Sequence, residues 1–450
     1  MSQPSWEMGP CLDMGQAQAE ANRCLLCHDA PCSKACPAGT EPGIFLRKLR
    51  LRNLTGAIRV IKERNVLGGS CGALCPAERL CESACCAAGL DRPIRIGDVQ
   101  RALVEHGWRT GFQPLEKAGA NGLRVAVVGA GPAGLSCAAT LAREGFQVTV
   151  FEARSRAGGV LAFGVPSYRL PPAFLSREIE DLGHLGVELK LSTPVDGRGA
   201  AEALLKQGFS AVFLGTGCWE PIRLFENGFV PENVLTATDF LSALRDGRGT
   251  LLRPVIEGQT VAVLGGGSVA IDCAGSALLM GAREVHLVYR RAFEQMPAEL
   301  SERTHAQRHG VHFLLLHQPV GYLKDALGKL AGLRVVRTRL GEPDASGRRR
   351  PENIPGSEWV LDTKLVIEAL GSRPAQGFAA SSPSVQRTAD GLIVADLATR
   401  QTSTAGVFAG GDAVRGPALI ANAIFDGKAA ARAIREGLLG RRASPAGGKS

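Results

Sequence analysis

Four cysteines near the start of the chain, Cys24-x2-Cys27-x4-Cys32-x3-Cys36, close on Pro37, and a second run follows as Cys71-x3-Cys75-Pro76-x5-Cys81-x3-Cys85-Cys86. Thiolates are soft ligands that suit iron and zinc, and short loops of this kind can wrap an iron-sulfur cube, with proline stiffening the turn beside it. A structural zinc site would favour closed C-x2-C knuckles; the x4, x3 and x5 spacings fit two 4Fe-4S clusters better. Spacing alone groups Cys24, Cys27, Cys32 and Cys36 in one set and Cys71, Cys75, Cys81 and Cys85 in the other. Paired runs also permit the last cysteine of one run to serve the other cluster. Cys11 and Cys86 are surplus in either scheme. Of 13 cysteines only Cys137, Cys218 and Cys273 lie outside this region, among alanines and apolar residues where a small buried thiol is the default.

A second chemistry is written in glycines. Arg124-Val-Ala-Val-Val-Gly129-Ala130-Gly131-Pro132-Ala133-Gly134 joins an apolar strand to a helix, and the next strand ends at Glu152, 23 residues after Gly129. Gly129 permits the tight turn, Gly131 the approach of backbone N–H groups to a pyrophosphate, and Gly134 close helix packing, while Glu152 can accept both hydroxyls of an adenosine ribose. The pattern repeats 136 residues on as Thr260-Val-Ala-Val-Leu-Gly265-Gly-Gly267-Ser268-Val-Ala270. Two nucleotide folds in one chain suit a bound flavin, FAD, and a diffusible nicotinamide. The second acidic position is replaced by Arg290-Arg291, residues able to fork onto a 2′-phosphate, so NADPH is favoured over NADH. Further on, Gly406-Val-Phe-Ala-Gly410-Gly411-Asp412 leads into a helix, placing Asp412 and a helix N-terminus where a flavin's ribityl or pyrophosphate could lie.

These residues need a scaffold, and 450 residues allow two to four domains. A helix over 14–27 capped by Asp13 leads into the first cysteine run, and a helical stretch from Pro42 to Asn65, broken near Asn53–Gly56, separates the runs. Another helix, begun near Gly97-Asp98 and reaching Trp108, carries Gln100 on its first turn. Residues 113–121 read as a linker. Strands are expected at 187–191, 209–215, 284–289, 311–316, 330–338 and 361–370, with Ala369-Leu370-Gly371 crossing back to the first nucleotide fold. Arg348–Arg350 reads as an exposed loop, and the tail from Gly440 as disordered. The fold class is therefore an α-helical iron-sulfur domain followed by two α/β Rossmann-like domains, the second inserted in the first. The expected boundaries are 1–115 for two clusters, 122–250 and 372–438 for FAD, 251–371 for NAD(P)H, and 439–450 for the tail.

The net charge of +9 raises the question of nucleic acid. The arginines are scattered and aromatics make up only 5%, with no basic helix interleaved with stacking residues, so no nucleic-acid role is expected. No apolar run approaches the roughly 18 residues of a membrane span. The N-terminus lacks a basic segment followed by an apolar core, so a cytoplasmic protein is expected, in which crowded cysteines are metal ligands before they are disulfides.

Over residues 20–437 the chain resembles the iron-sulfur flavoproteins that include the N-terminal half of dihydropyrimidine dehydrogenase and the small subunit of glutamate synthase. The resemblance rests on Cys24-Leu-Leu-Cys-His-Asp-Ala-Pro-Cys-Ser-Lys-Ala-Cys-Pro, the paired fingerprints and Phe408-Ala-Gly-Gly-Asp412. Within that family, Pro93-Ile-x-Ile-Gly97-x-Val-Gln100 resembles dihydropyrimidine dehydrogenases, the flavin subunit of the bacterial two-subunit enzyme above all. There a glutamine is an unusual cluster ligand where glutamate synthase subunits carry an acid. The resemblance implies one cluster on Cys24, Cys27, Cys32 and Cys85 and another on Cys36, Cys75, Cys81 and Gln100, with Cys71 a bystander. It implies FAD contacts at Gly129 to Ala133, Glu152, Val160, Arg169, Gly411 and Asp412, and nicotinamide contacts at Gly267, Ser268, Arg290, Arg291 and Ala369 to Gly371. The bacterial subunit is usually an NADH enzyme, against the lean of Arg290-Arg291.

The resulting expectation is an NAD(P)H-oxidising electron-input subunit in a hetero-oligomer, with an FMN- and iron-sulfur-bearing partner that reduces uracil or thymine. After Asp412 only about forty residues remain, too few for an FMN barrel of about 250 residues. The alternatives are a glutamate synthase small subunit, an electron-transfer subunit for another partner, and a zinc-stabilised binding protein that is not an enzyme.

Overall fold

The computed structural model describes residues 6, 8–9, 11–197, 199–225, 230–343, 347–375 and 383–443. The chain divides into two compact units. One comprises Met8–Ala162, Arg169–Glu220 and Arg373–Ser450; the other comprises Met1–Glu7, Phe163–Tyr168 and Pro221–Ser372. The two short strands at the crossings, Glu220–Pro221 and Ser372–Arg373, pair with each other.

The first unit starts with helices. Asp13 caps Met14–Asn22, as the sequence suggested, and Gln16 completes a reciprocal capping box with it, but the helix ends at Asn22 and not at residue 27. Beyond it Leu26 and Ala30 take left-handed backbone, φ 55° and 39°, which turns the chain through the Cys24–Cys36 run. The expected helix from Pro42 is two, Pro42–Arg50 and Leu54–Arg64, the second restarted by the Asn53 side chain accepting from the Gly56 N–H at 2.8 Å. Gly68–Leu74 and Ile96–Arg109 complete the layer. Because the last helix begins at Ile96, Gln100 lies past its first turn. Phe45, Leu46, Leu49, Ile58, Ile61 and Leu103 form the core of these helices.

A five-stranded parallel sheet of order β16-β4-β1-β2-β3 follows, from Val407–Ala409, Ala211–Leu214, Arg124–Val128, Gln147–Phe151 and Glu188–Lys190 respectively. Val125–Val128 are buried because helices cover both faces, as all-parallel strands require. The helical layer is fixed to this fold by buried polar groups. Glu178, on the helix Pro172–His184, accepts the N–H groups of Gly69 (2.7 Å) and Ser70 (3.1 Å), so it caps the helix Gly68–Leu74. Buried Lys62 pairs with Asp181 one turn further on.

The long helix Ile420–Ala443 lies against the fingerprint helix Pro132–Arg143. It runs beyond Gly440, where disorder was expected; 444–450 fall outside the described residues. Gly427 is the reason the two can touch: a Cβ there would stand 2.1 Å from the Ala133 carbonyl oxygen and 2.9 Å from the Cys137 nitrogen.

The second unit holds another five-stranded parallel sheet, β6-β14-β7-β8-β9, from Val234–Thr236, Leu365–Glu368, Thr260–Leu264, Glu284–Tyr289 and Val311–Leu315. Next to it His317–Lys324 (β10), Leu330–Pro343 (β11), Arg349–Asn353 (β12) and Trp359–Leu361 (β13) form an antiparallel sheet. The Arg348–Arg350 loop is thus largely strand: β12 pairs with β11 through Arg339↔Glu352 and Leu340↔Pro351. The single strand expected at 361–370 is split between β13 and β14. Among the described residues no helix is long and apolar enough to cross a membrane.

Replacing Gly427 with alanine should lower stability by about 3 kcal/mol, the upper end for an overpacked methyl, because both obstructing atoms are backbone. Thermal unfolding of Gly427→Ala checks this, and an unchanged midpoint would contradict the packing described.

Candidate functional site

The two cysteine runs fold into two separate cavities. Cys24, Cys27, Cys32 and Cys85 line one of about 420 Å3, with Cys86 as a fifth sulfur. Cys36, Cys75, Cys81 and Gln100 line the other, of about 390 Å3, with Cys71 as its extra sulfur. Each cavity draws on both runs, so the fold does not group the cysteines as spacing alone does: Cys85 leaves its own run for the first cavity and Cys36 leaves its run for the second. The surplus sulfurs each sit against one neighbour, Cys86 against Cys27 and Cys71 against Cys75. Cys11 lines neither cavity and packs on the helical core.

The donor set suits an iron-sulfur cube. Four cysteines line the first cavity with Cys86 beside them, and three with Gln100 and Cys71 line the second. Burial raises the Cys32 thiol to about 11 and the Cys81 thiol further, so a bound cation is what would draw off their protons. Gln100 is 6% exposed and donates its amide to the Gly68 carbonyl at 2.6 Å. That leaves its side-chain oxygen as the one acceptor it can offer, a hard donor in an otherwise sulfur-lined wall. Cys71, hydrogen-bonded to Cys75 and wholly buried, is held protonated well above the usual thiol range.

The first fingerprint is built by close backbone approach. Gly129 has φ 99°, and a Cβ there would meet the Gly215 carbonyl oxygen at 2.5 Å; one on Gly134 would come within 1.9 Å of the Gly129 carbonyl oxygen. Gly131 has ordinary extended backbone and caps the helix begun by Pro132, Ala133 and Gly134, so its first-turn N–H groups face outward for an anion. Glu152 accepts from the Ala130 N–H at 2.8 Å and the Arg154 N–H at 2.9 Å. It therefore braces the turn, with one backbone N–H on each carboxylate oxygen. Val160 is exposed at the start of a short helix, and Arg169 is half-buried.

Gly411 comes to the same place from the far end of the chain: with φ 71°, a Cβ on it would stand 2.9 Å from that of Ala133. Asp412 begins a helical turn, and burial raises its carboxyl to about 6. Its carbonyl accepts from the Cys218 thiol at 3.2 Å. Beneath this turn lies Asp426, fully buried, which sequence reasoning missed. Its carboxylate accepts the Gly411 N–H at 3.0 Å, a fork from Arg415 at 2.7 Å on each oxygen, and Arg400 at 2.9 Å. Arg400, only 2% exposed, adopts φ 61°, a left-handed conformation held by that ion pair. The only sign of this network in the sequence is an acid within a buried helical stripe.

In the second unit Gly265 has φ 136° and its missing Cβ would meet the Ala369 carbonyl oxygen at 2.3 Å, which puts Ala369, Leu370 and Gly371 beside the second fingerprint. Gly267 faces open space and caps the helix Ser268–Leu279; Ala270 is wholly buried in it. Ser268 donates to Glu302 at 2.6 Å. Arg290 and Arg291 part company: Arg290 is exposed, whereas Arg291 is buried and its Nε donates to the Arg349 carbonyl at 2.8 Å. Strand β12, read as a loop from sequence, is what covers it.

Residues 123–427 match the family described as pyridine nucleotide-disulphide oxidoreductase, and residues 5–112 that described as dihydropyrimidine dehydrogenase domain II, 4Fe-4S cluster. The chain belongs to the pyridine nucleotide-disulphide oxidoreductase family. Within this family it is 36% identical to the glutamate synthase [NADPH] small chain of Escherichia coli over 430 residues, covering 93% of this chain and 91% of that one. It is 34% identical to the NAD-dependent dihydropyrimidine dehydrogenase subunit PreT of the same organism over 435 residues, covering 96% and 97%. The fold is shared with Mycobacterium tuberculosis FprA in complex with NADPH, at TM-score 0.59 and 18% identity over 71% of this chain and 86% of that one. This family member is a flavin- and NAD(P)-linked oxidoreductase with an N-terminal 4Fe-4S domain.

If Gln100 and not Cys71 ligates iron, Cys71→Ser should retain the parent's iron content and Gln100→Ala should lose up to half of it, by iron assay after anaerobic purification. The reverse pattern would return Cys71 to the ligand set. A second outcome follows from Asp412. Its folded pKa of about 6 stands above the ordinary 3.8, so its protonated form is favoured by folding and the charged form is costly. In the FAD-free chain Asp412→Asn should therefore add about 3 kcal/mol at pH 7, a gain that fades as pH falls from about 6 to 4. Chemical denaturation at several pH values reads this out.

Proposed function

We propose that this chain is the electron-input subunit of a dihydropyrimidine dehydrogenase: it oxidises NAD(P)H and passes electrons to an FMN-bearing partner that reduces the 5,6-double bond of uracil or thymine. The observation that carries the reading is the pair of sulfur-lined cavities in the same unit as the flavin-type fold, with Gln100 in the wall of the second. Cys24, Cys27, Cys32 and Cys85 would hold one 4Fe-4S cluster, and Cys36, Cys75, Cys81 and Gln100 the other. Residues 122–250 and 372–438 would bind FAD, and 251–371, inserted between them, NAD(P)H.

A flavin supplies the chemistry between a two-electron hydride donor and one-electron clusters. The chain's own residues bind and orient. First-turn N–H groups of Pro132–Arg143 face a pyrophosphate, Glu152 takes ribose hydroxyls, and Gly411, pressed on Ala133, presents Asp412. Gly267 and Ser268 do the same for the nicotinamide dinucleotide. Arg290 is the exposed cation after β8, and with Arg291 engaged by β12 the lean to NADPH rests on Arg290 alone. No general acid or base is needed for hydride delivery, and none is assigned. The first turn of Ile420–Ala443 backs both sites: Ala421 lines the second cavity, and Ala423 stands against Gly411. The first cavity, with exposed Leu25 and Leu26 at its rim, is the side on which a partner would take electrons. A glutamate synthase small subunit is the second reading, favoured by the 36% identity to that chain.

The purified chain should oxidise NADPH faster than NADH with ferricyanide as acceptor, and should not oxidise either with uracil until an FMN-bearing partner is added. Uracil-dependent turnover by the chain alone would overturn the subunit reading. Turnover of glutamine and 2-oxoglutarate with a glutamate synthase large subunit, and none of uracil with any FMN partner, would decide for the second reading.

A further inference from the structure

Three consecutive residues of the helix Ile420–Ala443 reach three parts of the first unit. Asp426 holds the Gly411 N–H, Gly427 admits the fingerprint helix at Ala133, and Lys428 points to the cysteine layer. The Lys428 ammonium donates to the Ala38 carbonyl at 2.7 Å and to the Arg64 carbonyl at 2.6 Å. Ala38 is two residues after Cys36, in the turn that brings that cysteine to the second cavity. Arg64 ends the helix Leu54–Arg64, so the same ammonium neutralises a helix C-terminus. Gly39, 3.7 Å from the ammonium by its would-be Cβ, closes the turn around it.

We propose that Lys428 is a positioning residue for electron passage: it fixes the Cys36 turn, and with it the second cavity, to the flavin-binding turn, and its charge makes the cluster there easier to reduce. The inference rests on the reading in the preceding subsection that this cavity holds a cluster. Without the ammonium, the Cys36 turn loses its hydrogen bond from the helix Ile420–Ala443 at Ala38, and a displacement of about 1 Å can slow a positioned reaction a hundred-fold. The charge acts in the same direction. A cluster gains an electron on reduction, so a nearby buried cation stabilises the reduced form, net charge and burial being among the levers on such potentials. Burial lowers the ammonium to about 8, Arg64 acting the same way and Cys36 opposing, so it is still mostly charged at pH 7. No side chain shares those two carbonyls in the described hydrogen bonds, and Asp426, two residues before Lys428, is already engaged by Arg400 and Arg415.

The test uses the full chain with FAD and clusters in place, comparing parent, Lys428→Met, Lys428→Gln and Lys428→Arg by stopped-flow reduction with NADPH, electron paramagnetic resonance titration of the clusters, and hydrogen exchange. In Lys428→Met the flavin should bleach at the parental rate while cluster reduction slows on the order of ten-fold or more. One cluster potential should shift negative with the other unmoved, and residues 36–40 should lose exchange protection. Lys428→Arg should recover most of the potential shift, since the charge returns. Full FAD and iron with both potentials and the cluster rate unchanged in Lys428→Met would overturn the inference. Should that variant shed iron, Lys428→Gln, which keeps a donor for one carbonyl, carries the same criterion: a negative shift supports the proposal and an unmoved potential overturns it. A parent chain that shows no cluster signal sinks the functional reading along with this one, whereas a parent with two clusters and an insensitive variant sinks this one alone.

Discussion

The packing of Ile420–Ala443 on Pro132–Arg143 tolerates no side chain at Gly427, and most of the first unit depends on that closeness. With a methyl there the helices would separate, and Gly411 would no longer press on Ala133 to complete the turn under Asp412. The Ser136 hydroxyl, which donates to the Ile424 carbonyl at 3.1 Å, would lose its acceptor inside an apolar contact. The constraint is reciprocal. Gly134 abuts Gly129 from the other side, so the fingerprint helix is held between two contacts that only glycine allows.

Charge is arranged around this contact with unusual economy. Asp426 is fully buried yet carries two guanidiniums and a backbone N–H, which offsets the cost of removing a carboxylate from water. Asp412 pairs with no cation among the described ion pairs, and burial, with Asp426 adding to it, raises its carboxyl. Glu178, buried as well, is raised by burial, though Lys62 and the N–H groups of Gly69 and Ser70 oppose the rise. These acids do different work: Asp426 and Glu178 tie one element to another, while Asp412 is the one the proposed function gives to the flavin. A desolvated acid beside a helix start is costly, and a polar group bound there would relieve it.

The cysteine layer shows the same economy of contacts. Each cavity takes sulfur from both runs, so the helices between the runs must be in place for either cavity to form. Glu178 and the Lys62–Asp181 pair anchor those helices to the sheet unit, which makes the iron-sulfur layer part of the flavin fold and not a tethered appendage.

Local chemistry was readable from residue order. Asp13 with Gln16, Asn53 before its helix, Pro132 after Gly131 and the alternation of strand and helix around both fingerprints are contained within a few residues, so the two nucleotide folds and the main helices follow from them. Boundaries failed where tertiary contacts bend the chain. The first helix stops at Asn22, ahead of the turns that bring Cys24 and Cys27 to one cavity, and Arg349 and Arg350 became strand because β11 offers an edge that no local signal announces. The two cavities could be guessed from cysteine counts, but spacing did not give their membership: it keeps Cys85 with Cys81, whereas the family resemblance separates them and the folded path puts them in different walls. Arg290 and Arg291, identical in type and adjacent in order, differ because β12 covers one of them. Asp426 and Lys428 were invisible for the same reason. Their partners lie 15 and 390 residues away, and a helical acid and lysine carry no mark of which carbonyl or amide they will meet.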